Sequence, residues 1–225
     1  MRRIVFSSIL LAAAAMAGPA SADCTDEVAK AFEGLTKQKF LRKDTLMVSE
    51  NGLVKMVLEF QLPDRMRQTV SLITDPKPVE TIVVGEQAWT QDEKGWFELP
   101  PQAADEMISF LEQSTSAAGT KVGKFECIGA ETLDGKQVRA YRGINEAVKA
   151  FGQESEANKN EAVRMVYIDP ETGLPARAIF AHKDHLDKPV YKEEISYPAS
   201  LKIEPPANVQ KPELTNPVKP LDEKK

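Results

Sequence analysis

The alternation of apolar and polar positions changes period several times along the chain, and these changes mark its elements. Val28, Ala31, Phe32 and Leu35 recur at i, i+3, i+4 and i+7, which predicts a short helix with one apolar stripe. Thr25 is placed to cap it, and Asp26 and Glu27 suit its positive N-terminal end. From Phe40 the period becomes two. Asn51-Gly52 favours a tight hairpin joining strands at Lys39–Ser49 and Leu53–Leu62. Further strands are predicted at Met66–Ile73, Val79–Val84, Gln87–Thr90 and, after the turn Asp92-Glu93-Lys94-Gly95, Trp96–Leu99. Pro100 and Pro101 end this meander and suit a helix start, and Ala104, Met107, Ile108 and Leu111 mark one face of a second helix.

The two-residue period resumes at Lys121–Thr132, turns at Asp134-Gly135 and returns through Lys136–Gly143. Ala162–Asp169, Leu174–Ala181 and Val190–Tyr197 complete the set, the first two joined by Pro170-Glu171-Thr172-Gly173. Roughly nine to eleven antiparallel strands with two or three helices imply an α+β fold, a strongly curved antiparallel sheet whose open side the helices fill. Residues 144–160 read as a polar insertion, either a plain solvated loop or a lid. The tail over residues 205–225, with five prolines from Pro205 to Pro220 and a charged end, reads as extended and disordered.

One stretch precedes the folded part. Arg2 and Arg3 lead into an apolar run, Ile4 to Ala17, that ends in Pro19-Ala20-Ser21-Ala22. The run is shorter than the ~20 residues of a membrane span, and Ala20-x-Ala22 is a small-x-small cleavage pattern. Residues 1–22 are therefore expected to be a secretory signal peptide, leaving one domain over 23–204. Cys24 follows the cut, but Asp23 stands where a lipidated cysteine wants a small residue, so no lipid anchor is expected. In an oxidising compartment the two cysteines, Cys24 and Cys127, are expected to pair.

Composition narrows the chemistry. Of 225 residues 42% are apolar and 28% charged, ordinary for a globular protein, and the net charge of −5 argues against a nucleic-acid partner. Both histidines, His182 and His185, lie in a turn-like stretch with Asp184 and Asp187, which reads as a solvated loop and not a metal site. The sequence holds no nucleophile elbow, phosphate loop or zinc-peptidase helix, and Glu193-Glu194 alternate faces of a strand as solvated surface. No catalytic residue, no metal and no cofactor is expected. What stands out is an apolar surface. Val54, Met56, Leu58, Phe60 and Leu62 share one strand face, and Met66, Val70 and Leu72, then Ile82 and Val84, can continue it after register adjustment. Periodicity alone leaves open whether this is a packed core or a cavity that Met107, Ile108 and Leu111 cover. Trp89 and Trp96 are expected along one sheet edge, where their amphipathic rings would also suit a membrane contact.

Three segments occur in a familiar order: Leu62-Pro63-Asp64-Arg65-Met66-Arg67 after a long strand, Val84-Gly85-Glu86-Gln87-Ala88-Trp89, and Tyr167-Ile168-Asp169-Pro170-Glu171-Thr172-Gly173-Leu174-Pro175 near the end. With the order helix, meander, helix, strands, the chain resembles the LolA-like superfamily from its first helix to about Pro205. The resemblance implies an unclosed β-barrel covered by helices, whose apolar interior receives acyl chains of lipoproteins or other lipids in the periplasm of Gram-negative bacteria. Some relatives act instead as sensors or as carriers of other lipids. The implied role is a monomeric carrier of lipid or acylated lipoprotein, passing its cargo between envelope membranes with the possible help of a membrane-protein partner. The alternative is an interaction protein with a packed core. Arg67 matches the family's arginine, expected either at the cavity mouth or as a plain strand-surface residue. Here Gln68 follows it, where relatives commonly carry an aromatic residue.

Overall fold

The computed structural model describes residues 24–50, 52–75, 77–115, 123–144 and 162–210. The expected leader, residues 145–160 of the insertion and residues 211–225 of the tail lie outside them. Helix α1 spans Cys24–Leu35, and the first meander follows as β1 (Phe40–Ser49), β2 (Gly52–Gln61), β3 (Arg65–Leu72), β4 (Val79–Val84), β5 (Gln87–Asp92) and β6 (Gly95–Glu98). Helix α2 (Pro101–Thr115) leads to β7 (Lys124–Leu133), β8 (Lys136–Ile144), β9 (Ala162–Ile168), β10 (Pro175–His182) and β11 (Tyr191–Ser196). The eleven strands among the described residues form one antiparallel sheet in the order β6-β5-β4-β3-β2-β1-β11-β10-β9-β8-β7. The sheet is curved and does not close into a barrel. The chain reaches this order without a parallel crossover, because β11 returns to pair with β1 in the middle and joins the two meanders.

Both helices lie on one face of the sheet, here called the inner face. The α1 stripe Val28, Ala31, Phe32 and Leu35 and the α2 residues Ala104 and Leu111 belong to one core with Leu41, Phe60, Met66, Val83 and Phe125. Helix α1 leans on β7 and β9, and α2 on β4 and β5. The expected disulfide forms: Cys24 is bonded to Cys127, 103 residues away, and ties the start of α1 to β7. Thr25 lies within the first turn of α1, where its hydroxyl accepts a hydrogen bond from the Phe125 N–H at 3.0 Å. Glu27 holds the same helix to β8 by accepting from the Tyr141 hydroxyl and pairing with Arg139 at 3.1 Å. A covalent bond, half-buried hydrogen bonds and an apolar stripe thus fix α1.

After β11 the chain crosses to the outer face. Ile203, 1% exposed, packs there with Ile82 and Trp89, with Val84 and Trp96 beside them. Its backbone is held on both sides, since its N–H donates to Gln61 Oε1 at 3.1 Å and its carbonyl accepts from Arg65 Nη1 at 2.7 Å. Gln210 then bridges Phe97 in parallel on the β6 edge. Residues 205–210, expected to belong to a disordered tail, therefore end on the sheet. The hydrogen bond from the Gln210 N–H to the Trp96 carbonyl, 2.7 Å, accounts for the difference.

Candidate functional site

The inner face is built from alternate residues of each strand, and the register decides which ones. Phe60 pairs with Met66 and Met66 with Val83, so Phe60, Met66, Val83 and Ala88 form a row beneath the helices in which no side chain reaches solvent. One step along the strands, Leu58 pairs with Lys43 and Gln68, and Gln68 with Thr81. Beyond these, Met56 lies between Thr45 and Val70, and Val54 between Met47 and Leu72. Val54, Met56, Leu58, Phe60, Val70 and Leu72 therefore share the inner face as expected, and Leu62 packs against its core from the turn after β2. Met107 and Ile108 of α2 lie against this core, and Leu111 is buried within it. Leu58 and Val54 are buried like the Phe60–Met66 row, whereas Met56, Val70 and Leu72 are half-buried.

Two sequence expectations need correction, and a third is decided between its alternatives. Ile82 and Val84 do not continue the lining: Val83 pairs with Met66, which turns its two neighbours to the outer face, where they pack with Trp89 and Ile203. The apolar run Ile82-Val83-Val84 has no alternation from which its inward residue could be read. Arg67 takes the second of its two expected places, a strand surface and not a cavity mouth. It pairs with Glu59 across β2 and β3 on the outer face, its Nη1 3.5 Å from Glu59 Oε2, in a ladder that includes Arg42 and Asp44. Glu193 is not solvated surface. It alternates with Glu194 as the pattern requires, but it points inward and is buried.

Glu193 belongs to a buried polar group that no local sequence pattern announces. Lys43 and Thr45 of β1 and Glu193 of β11 are all buried on the inner face. Lys43 Nζ stands 3.7 Å from Glu193 Oε1 and donates to the Ser114 carbonyl at the end of α2, 3.3 Å away. The Tyr191 hydroxyl donates to Glu193 Oε2 at 2.7 Å; burial, and then the nearby carboxylate, push its ionisation well above the ordinary phenol range. Further across, the Arg164 guanidinium lies over the rings of Phe32, Phe125 and Phe180, 5.5 to 5.8 Å from their centroids. The inner face is thus apolar over β2 and, Gln68 apart, over β3, and amphipathic over β1 and β11. The signal in the sequence was Lys43 and Thr45 alternating with Arg42, Asp44 and Leu46, a pattern with no apolar side from which to read direction.

Trp89 and Trp96 sit on β5 and β6, next to or at the sheet edge, as expected, and face outward beneath the returning C-terminal segment. His182 and His185 lie 5.6 Å apart, ring to ring, by the β10–β11 loop, and His182 Nδ1 accepts from the Asp184 N–H. Among the described residues no three His, Cys, Asp or Glu side chains come together as a metal site, and no helix is long and apolar enough to cross a membrane.

No family model and no curated protein matches the sequence. Solved structures do. LprF from Mycobacterium bovis is 12% identical and superposes with a TM-score of 0.55 over 81% of this chain and 96% of its own. The lipoprotein LppX from Mycobacterium tuberculosis is also 12% identical, with a TM-score of 0.51 over 80% of this chain and 97% of its own. At such identity the likeness is one of fold. The chain has the fold of these two proteins, the helix-covered open half-barrel implied by its resemblance to the LolA-like superfamily.

Proposed function

We propose that the protein is a carrier of the cell envelope that shields acyl chains of a lipid or lipoprotein against the inner face of its sheet and carries out no reaction on them. The observation that supports this reading most is the apolar strip of β2 and β3, sealed at Phe60, Met66 and Leu58 and half-buried at Met56, Val70 and Leu72. A strip of this kind offers an acyl chain partners that water does not. Each methylene moved onto it is worth about 0.8 kcal/mol, so a chain of a few buried carbons offsets the ordering of both partners. Export by residues 1–22 and a periplasmic site of action go with this role. So does the Cys24–Cys127 bond, which holds α1 in an oxidising compartment.

The test is extraction of lipid from protein purified from envelopes, together with titration of a fluorescent fatty acid. Co-purified acyl lipid and saturable probe binding are expected, and Val70→Glu should abolish binding with little loss of stability, since Val70 is only half-buried. Protein that carries no lipid and binds no probe would have a filled interior, and the fold would then serve protein contacts.

A further inference from the structure

The end of the sheet where β1 passes into β2 is apolar on both faces. On the inner face Tyr191, Met47, Val54 and Leu72 form one row across β11, β1, β2 and β3. One residue further out, the outer face carries Val190, Val48, Leu53 and Ile73. Val48 and Leu53 are register partners, Val48 N–H donates to the Val190 carbonyl, and Ile73 N–H donates to the Leu53 carbonyl. Alternation in a sheet with one wet face would make this outer row polar. Instead Val190 is 43%, Val48 50% and Ile73 56% exposed, three of the most exposed large apolar side chains described. The next outer row back from the tip returns to the polar pattern: Leu46 there is flanked by Lys55 and Lys192.

We infer that this tip docks on a lipid bilayer, with Val190, Val48, Leu53 and Ile73 entering the surface and Lys55 and Lys192 level with the headgroups. At a strand rise of about 3.3 Å the two lysines start roughly 7 Å behind the apolar row, which matches the depth to which interfacial segments bury. The stem of Lys55 can follow the sheet while its ammonium group reaches phosphate oxygens; the Lys192 ammonium is held by Glu194 Oε1 at 2.9 Å. The surrounding turns carry charge of both signs, Glu50, Asp75 and Lys77 on one side and Lys183, Asp184, Asp187 and Lys188 on the other. Apolar insertion therefore provides the attachment, and a neutral bilayer suffices. The outer row adjoins the inner row Met47, Val54 and Leu72 through the same strands, so the docked tip sets the half-buried Met47 and Leu72 end of the acyl-binding strip against the membrane. The value of that placement rests on the carrier reading; the docking itself does not.

Vesicle flotation tests it, with phosphatidylcholine vesicles alone and with added phosphatidylglycerol. The protein is expected to float with both at low and at high salt. Ile73→Asp and Val48→Asp, at exposed positions where the fold is kept, should each lower the bound fraction about tenfold. Fluorescent fatty-acid binding from solution should stay unchanged in both variants. Flotation that is absent, that needs the anionic lipid, or that survives both substitutions overturns the inference. It is also overturned if sedimentation shows the row holding two copies of the chain together and Ile73→Asp only separates them. Loss of probe binding in the unmodified protein with flotation intact would sink the carrier reading and leave the docking surface standing.

Discussion

Lys43 and Glu193 face each other inside the sheet, Nζ to Oε1 at 3.7 Å, each side chain only about a tenth exposed. They sit diagonally across the β1–β11 pair, Lys43 opposite Ile195 and Glu193 opposite Thr45. This is the seam at which the second meander joins the first, so the ion pair spans the longest-range pairing in the sheet.

Taking two charges out of water costs several kcal/mol, and their attraction returns it only when further hydrogen bonds satisfy both groups. Glu193 has the Tyr191 hydroxyl and Lys43 the Ser114 carbonyl, so the pair has that support. Replacing Lys43 by Met leaves the carboxylate buried with one partner and frees the last turn of α2. A loss of about 2–4 kcal/mol is expected, whereas Lys43→Met with Glu193→Leu should recover most of it. Urea unfolding of the single and double variants measures the coupling; strictly additive losses would show that the two charges do not stabilise each other.

Ile203 carries a second prediction. It lies far from the strand face it covers in sequence, yet it closes the outer cluster over Ile82 and Trp89. Ile203→Ala removes a side chain that is 1% exposed, and burial of this kind corresponds to a cost of about 2–4 kcal/mol. Because the backbone there stays bonded to Gln61 and Arg65, the loss should appear as a void and not as release of the segment. Tryptophan fluorescence should then shift to longer wavelength as water reaches Trp89, with the sheet signal in circular dichroism unchanged. An unshifted spectrum would show that the indole is covered by other groups.

Both helices, the hairpin at residues 51–52 and most strand limits were legible because each rests on local chemistry: a helical period, a turn pair, a proline stop. Val54 to Phe60 and Val70 to Leu72 were legible for the same reason, since polar partners on alternate positions state the inward direction. The misplacements fall where that alternation fails. Ile82-Val83-Val84 is apolar throughout, so only the pairing with β3 settles that Val83 points inward. Lys43, Thr45 and Glu193 alternate with other polar residues, and only the return of β11 to β1 turns them inside. The hold of residues 203–210 on the outer face depends on Gln61, Arg65 and Trp96, each more than a hundred residues earlier, and no local pattern announces such contacts.

The tyrosines supply a prediction about alkaline stability. The chain has four, and each ionises above the ordinary phenol range of about 10. For Tyr141 burial is the main cause, followed by the hydrogen bond to Glu27, with Arg139 opposing; its value is pushed up to about 12. Burial leads for Tyr167, Tyr191 and Tyr197 as well, with Glu131 adding to it for the first and Glu193 for the other two. A phenol whose folded value is raised keeps its proton after the unfolded chain has lost it. The stabilisation is therefore complete below pH about 10, where both states are protonated, and is lost as pH rises through 12. A spectrophotometric titration should show phenolate appearing near pH 10 in urea and well above it in the folded protein, while thermal stability declines over the same interval. Glu27→Gln removes the neighbouring charge but not the burial, so it should lower the onset for one tyrosine part of the way and leave the other three in place. Tyr141 titrating near 10 without that substitution would show that it is not joined to Glu27, and that on β8 only Arg139 holds this end of α1.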